Sequence, residues 1–258
     1  MSRWIGLVRL IRWIGLVRWG GFVRLAGLVR LAGLLMASIA DALIATVLAP
    51  ACLSCARVLE APTRSPVCDT CWARIGRYAS AGSDLGPVAS TLTHVRAVGP
   101  FEDVLRDIVH GLKFQVRRTL ATRLGPLLRA AAGDLLDHAD AVVPVPLHPW
   151  RQWRRGYNQA ELLAATLGRP VWHVLRRRQA TPPQTALDRH ARQANVRQAF
   201  ALGGWLPGAA GRARRQIDGR TLLLVDDVLT TGATLDACAR VLRDAGAREV
   251  HAVTVAQA

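Results

Sequence analysis

Two adjacent acids, Asp226 and Asp227, close the apolar run LLLV at residues 222–225. A turn rich in hydroxyls follows, Thr230-Thr231-Gly232-Ala233-Thr234, and then an Ala/Leu-rich stretch with helical character. The backbone N–H groups of such a turn, with the positive end of the helix behind it, form an anion site. Three threonine hydroxyls add donors, and Gly232 lets the backbone approach a phosphate closely. The two carboxylates repel that anion, so they suit sugar hydroxyls or a cation. Phosphate at the turn and a diol at the acids together describe a ribose 5-phosphate.

Four cysteines make a second set. Cys52-Leu-Ser-Cys55 and Cys68-Asp-Thr-Cys71 are separated by twelve residues that include Pro62 and Pro66. Each pair puts two thiolates on one tight turn, and two turns complete a tetrahedral four-sulfur site of the kind zinc fills structurally. Paired CxxC units in a chain without a convincing export signal point to metal in a reducing cytosol rather than to disulfides. The expected location is therefore cytoplasmic. The lone Cys238 reads as a packed thiol.

The elements that must position these groups alternate between strand and helix. FEDVLRDIVHGLKF (101–114) has a helical apolar period, and TLATRLGPLLRAAAGDLL reads as a second helix interrupted at Gly-Pro. DAVVPVPLHP (140–149) is a short strand and a Pro-punctuated loop, NQAELLAATL (158–167) a helix, and RPVWHVL (169–175) a strand. A basic stretch (176–200) and a Gly/Ala/Arg loop (203–216) lead to the strand TLLLVDDV (221–228), a helix to about Ala245 and a last strand at 249–256. This order predicts an α/β fold with a largely parallel sheet. Ligands of such sheets sit beyond the carboxyl ends of the strands, where Asp226 and Asp227 fall.

The 258 residues carry a net charge of +16, which suits an anionic partner. The cations are 33 arginines and one lysine, Lys113, a skew that reflects codon composition as much as a basic surface. Residues 1–35 are repetitive: RWIGLVR occurs at 3–9 and 12–18, and RLAGLV at 24–29 precedes RLAGLL at 30–35. Arginines six residues apart are rotated by about 240° on a helix, so they line no single face, and no stable membrane insertion is expected. Met36 reads as a true start, with 1–35 a translated repeat or dispensable extension. The expected domains are this extension, a helix plus four-cysteine module at 36–80, and the main domain at 92–258.

Several stretches together resemble a known family: PACLSC with CDTC, the KF of HGLKF, VPVPLHPWRQWRRGYNQAELLA, the Gln184–Arg192–Asn195 segment and the DD-TTGAT turn. The turn resembles the signature of type I phosphoribosyltransferases. The combination, over roughly residues 45–258, is similar to the ComF family of competence proteins. The resemblance implies a type I phosphoribosyltransferase-like parallel sheet flanked by helices, with a small N-terminal zinc-ribbon module. It also implies a site for 5-phosphoribosyl 1-diphosphate with magnesium. Asp226 and Asp227 would meet the ribose hydroxyls, and residues 230–234 the 5-phosphate. The loop Pro144–Pro149, with Val145 and Pro146, would face the diphosphate, and 176–197 would form a flap over the substrate. Lys113, Arg154 and Arg155 are further candidates around the departing diphosphate. Two roles stay open: a phosphoribosyltransferase, or a non-catalytic module that binds single-stranded DNA or another competence protein.

Overall fold

The computed structural model describes residues 36–44, 46–79, 83–86, 90–114, 119–178, 199–203 and 207–258. These fall into two compact units, 36–51 with 57–65, and 52–56 with 66–258. In the first, 36–44 and 46–48 are helical. Asp41, which interrupts this apolar stretch, is buried and accepts the Thr63 amide at 2.8 Å, so its charge staples the helix to the following segment. No helix among the described residues is long and apolar enough to cross a membrane.

The second unit is built on a five-stranded sheet. Its strands are β1 (Ser83–Asp84), β2 (Val95–Pro100), β3 (Ala141–Pro144), β6 (Thr221–Leu229) and β7 (Glu249–Gln257), in the order β1-β2-β7-β6-β3. All pairings are parallel except the short β1 edge. β4 (Leu175–Arg177) and β5 (Phe200–Leu202) form a separate antiparallel pair. Alternation along β6 and β7 sends Leu222, Leu224, Val250 and Ala252 into one core with Ile217, Cys238 and Leu242. This core is covered by the helices Ala209–Ile217 and Ala233–Asp244. The helices Asp103–Phe114 and Thr119–Ala132 cover the other face. β6 and β7 carry near-continuous apolar runs because both faces are covered.

Three expectations are corrected. Pro126 does not interrupt its helix, which runs unbroken through Thr119–Ala132 because Leu120, Leu124 and Leu128 bury one stripe around it. The break falls instead at Gly133, whose φ of 52° favours glycine. The strand expected at 169–175 is a single bridge, Val171 to Val142, and the regular strand lies at Leu175–Arg177. The loop expected at 203–216 contains the helix Ala209–Ile217, whose Ala213 and Ile217 share one buried face. The helix Asp69–Ala79 and strand β2 were not among the elements expected from the sequence.

The segment Arg155-Gly156-Tyr157-Asn158 is a joint. Gly156 (φ 75°) ends the helix Pro149–Arg155. The Tyr157 hydroxyl donates to the Leu112 carbonyl in the last turn of Asp103–Phe114. Buried Asn158 caps the helix Gln159–Ala164 by accepting the Ala160 amide at 3.0 Å, and its Nδ2 donates to the Val145 carbonyl at 3.0 Å. Asn158→Ala removes both bonds and orphans a buried carbonyl. It should lower unfolding free energy by about 2–3 kcal/mol in urea titrations, with Asn158→Asp, which keeps the cap, losing less; equal stability of all three proteins would refute the joint.

Candidate functional site

β6 ends at the carboxyl edge of the sheet, and its alternation separates the two acids. Asp226 follows Leu222 and Leu224 toward the helix Ala233–Asp244, and Asp227 follows Leu223 and Val225 toward the helix Asp103–Phe114. Asp227 is 4% exposed, and its Oδ1 lies 3.1 Å from Lys113 Nζ. Asp226 Oδ1 accepts the Asp227 amide at 2.8 Å. Burial first, and the neighbouring Asp227 charge second, push the Asp226 carboxyl up to about 7.

Cations from three elements surround this pair. Lys113 sits in the last turn of its helix. Arg155 closes the helix Pro149–Arg155 and donates through Nη1 to Gln159 Oε1 at 3.1 Å. Burial lowers its pKa, Asp227 opposes that fall, and the charge of Arg151 adds to it. Arg177, at the end of β4, holds its guanidinium over the Phe200 ring at 5.3 Å and lies within the field of Arg151, Cys238 and Asp226. Four cations around two acids leave an excess that favours a multiply charged anion. Arg154 does not join them; its guanidinium lies over the exposed Trp150 at 5.4 Å. Arg151 was not singled out in the sequence, where nothing in RQWRR distinguishes it from its neighbours.

The turn after β6 brings Asp226 together with Thr230, Gly232 and Thr234 in one small cleft. Gly232 takes φ 74° and starts the helix Ala233–Asp244 without a side-chain cap of its own, so the amides after Ala233 remain for an anion. The Thr231 hydroxyl is engaged within the turn, accepting the Ala233 amide at 3.4 Å. Asp236 in the first helical turn is taken by Thr91 and Arg240. Across the strand, Val145 donates its amide to the Val225 carbonyl at 3.0 Å and gives its own carbonyl to Asn158. Pro146 has no amide hydrogen. These two residues therefore fix the loop beside the acids and offer no N–H to a ligand. Most of the expected flap, 179–197, lies outside the described residues, as does the repetitive 1–35. The flap's roots, Arg177 and Phe200, stand paired beside Asp226.

The four cysteines do come together, with all sulfurs within 4.8 Å of one another. Cys52 and Cys71 are 4.0 Å apart, and Cys55 and Cys68 are 3.7 Å apart. A tetrahedron with zinc–sulfur bonds of about 2.3 Å has edges of about 3.8 Å. Burial raises the Cys52 thiol, but the amides of Cys55, Cys68 and Ser54 outweigh it and lower the pKa, which stabilises a thiolate. The group could hold a metal such as zinc. Leu53, inside the first CxxC, packs where a Cβ on Gly111 would stand 2.9 Å from its Cδ1. The cysteine turn thus rests on the helix that carries Lys113. Arg123 braces the other side, 3.0 Å from Asp69 and 5.2 Å over the Trp72 ring.

Residues 154–258 match the model of the phosphoribosyl transferase domain. The chain is 30% identical over 205 residues to "Competence protein F" of Haemophilus influenzae, covering 75% of this chain and 85% of that one. It is 35% identical over 164 residues to "DNA utilization protein YhgH" of Escherichia coli, covering 60% and 67%. To "Competence protein ComFC" of Bacillus subtilis it is 27% identical over 152 residues, 58% of each. A four-cysteine cluster joined to a parallel sheet with this acid-and-turn end, and these relatives, give one conclusion: the chain belongs to the ComF family and carries a phosphoribosyltransferase domain.

Proposed function

We propose that this ComF-family chain binds 5-phosphoribosyl 1-diphosphate with magnesium in the cytoplasm, as part of DNA uptake in natural transformation. The observation that carries the reading is the end of β6, where a carboxylate shares a cleft with a hydroxyl-lined helix start while its neighbour sits among cations. The turn Thr230–Thr234 holds the 5-phosphate and Asp226 meets the ribose hydroxyls. Lys113, Arg151, Arg155 and Arg177 neutralise the diphosphate. Asp227, whose buried Oδ2 meets no hydrogen-bond partner among the described residues, would help to hold the magnesium, which would supply positive charge against the diphosphate. Transfer to a nitrogen nucleophile at the anomeric carbon then needs positioning and cationic clamps, with no covalent nucleophile. Zinc in the four-cysteine site is structural, since four protein ligands leave no open position. A second reading keeps the fold without turnover. Trp153 is 81% exposed and Trp150 55%, interleaved with Arg151 and Arg154, a surface on which single-stranded bases stack.

Calorimetry tests the donor site. Wild type should bind 5-phosphoribosyl 1-diphosphate only with magnesium, and Asp226→Ala/Asp227→Ala should weaken binding by at least about tenfold. A folded, zinc-loaded protein that binds none would sink this reading and send the search to single-stranded DNA. Stripping zinc with a strong chelator should lower Tm by more than about 10 °C and restore it on readdition; an unchanged melt would dismiss the metal. The raised Asp226 pKa carries a sign. The neutral acid is favoured in the fold, so its contribution is full below about 3.8 and is lost as pH rises through about 7. The Tm advantage of Asp226→Asn over wild type, measured without ligand, should therefore grow across that range and level off above it. A difference independent of pH would contradict the raised Asp226 pKa.

A further inference from the structure

Asp227 is almost wholly buried, yet only half of its carboxylate is satisfied. Lys113 Nζ takes Oδ1 at 3.1 Å, and Oδ2 meets no hydrogen-bond partner among the described residues. A buried carboxylate needs a cation beside it, because the desolvation penalty is otherwise uncompensated. The identity of that cation is informative. Lys113 is the only lysine in a chain with 33 arginines. An arginine here would grip both oxygens in a planar fork. A lysine offers a compact charge on a flexible stem, and this one sits in the last turn of its helix with its side chain 24% exposed. It neutralises one oxygen and leaves the other open.

We propose that Lys113 is an exchangeable counter-ion. It holds Asp227 in the absence of ligand and yields that carboxylate to a divalent cation only when a diphosphate group arrives to receive the ammonium. The inference rests on the donor reading above and deepens it, making metal and ligand binding coupled steps. A divalent ion arriving alone meets Lys113 on the carboxylate, Arg155 within its field and Arg151 behind. Like charges at such separations cost on the order of kilocalories. A diphosphate cancels this repulsion, releases Lys113 from Asp227 and leaves both carboxylate oxygens for the metal.

The probe is Mn2+, titrated into the full, zinc-loaded chain without any phosphoribosyl ligand and followed by electron paramagnetic resonance of the free ion. Lys113→Met should bind Mn2+ at least about tenfold more tightly than wild type, and Lys113→Met/Asp227→Asn should lose the gain. Lys113→Gln, which keeps a hydrogen-bond donor for Asp227, should show the same gain and serves if the methionine variant does not fold. Lys113→Arg should show none. Met and Gln variants that bind Mn2+ no better than wild type would overturn the exchange. If wild type then still binds 5-phosphoribosyl 1-diphosphate with magnesium, the donor reading survives and only the role of Lys113 falls; if it does not, both fall.

Discussion

A carboxylate buried at the end of a strand has to be neutralised where it stands, and Asp227 imposes that demand on its surroundings. The charge sits among covered apolar strands, so no bulk water compensates it. The chain answers from two separate elements, Lys113 from the helix before β3 and Arg155 from the helix after it. Each must arrive at the right height above the sheet. The joint at Tyr157 and Asn158 secures both, since one residue ties down the end of the lysine helix and the other fixes the loop after β3. Removing the acid would leave these cations facing one another, and removing the cations would leave the acid unpaired. The site is therefore a mutual constraint between the acid and its cations.

The cysteine cluster enters the same network. Leu53 lies between two of the sulfurs and seats itself at Gly111, two residues before Lys113 in the same helix. A side chain at 111 would push the cysteine turn away or tilt the helix. The cysteine turn and Lys113 are thus linked through this close contact, alongside the Arg74–Asp103 pair, with Trp72, Arg123 and Asp69 bracing the opposite side. A small structural module gains a function by this route: it sets the position of a helix whose last turn carries the charge.

Much of this was legible before any coordinates. The acid pair, the Thr/Gly turn and the two CxxC units depend on residue types at fixed spacing, and such local signals survive into three dimensions. The four cysteines converge because two tight turns leave their thiols few other arrangements. What stayed hidden depends on long-range partners. Nothing local says that Pro126 sits inside a helix, because the burial of Leu120, Leu124 and Leu128 decides it. The helix Ala209–Ile217 hid among glycines and arginines since only Ala213 and Ile217 mark its inner face. Arg151 and Arg177 looked like any other arginine in an arginine-rich chain. The sequence also could not show that Val145 ties its loop to β6 and to Asn158.

The separation of the two acids carries the chemistry furthest. Adjacent residues on a strand cannot point the same way, so Asp226 and Asp227 open onto different layers of the sheet. Asp226 shares its cleft with the helix start, and Asp227 shares its surroundings with Lys113 and Arg155. A ligand with one anionic end could use only one of these regions. A ligand with a phosphate at one end and a diphosphate at the other, joined by a ring bearing hydroxyls, could straddle the strand end and use both. The hydroxyls would then fall above Asp226, whose carboxyl is raised by burial and by the neighbouring Asp227 charge. In the reading proposed above, the strand end divides the two regions, and a molecule with two charged ends would use both.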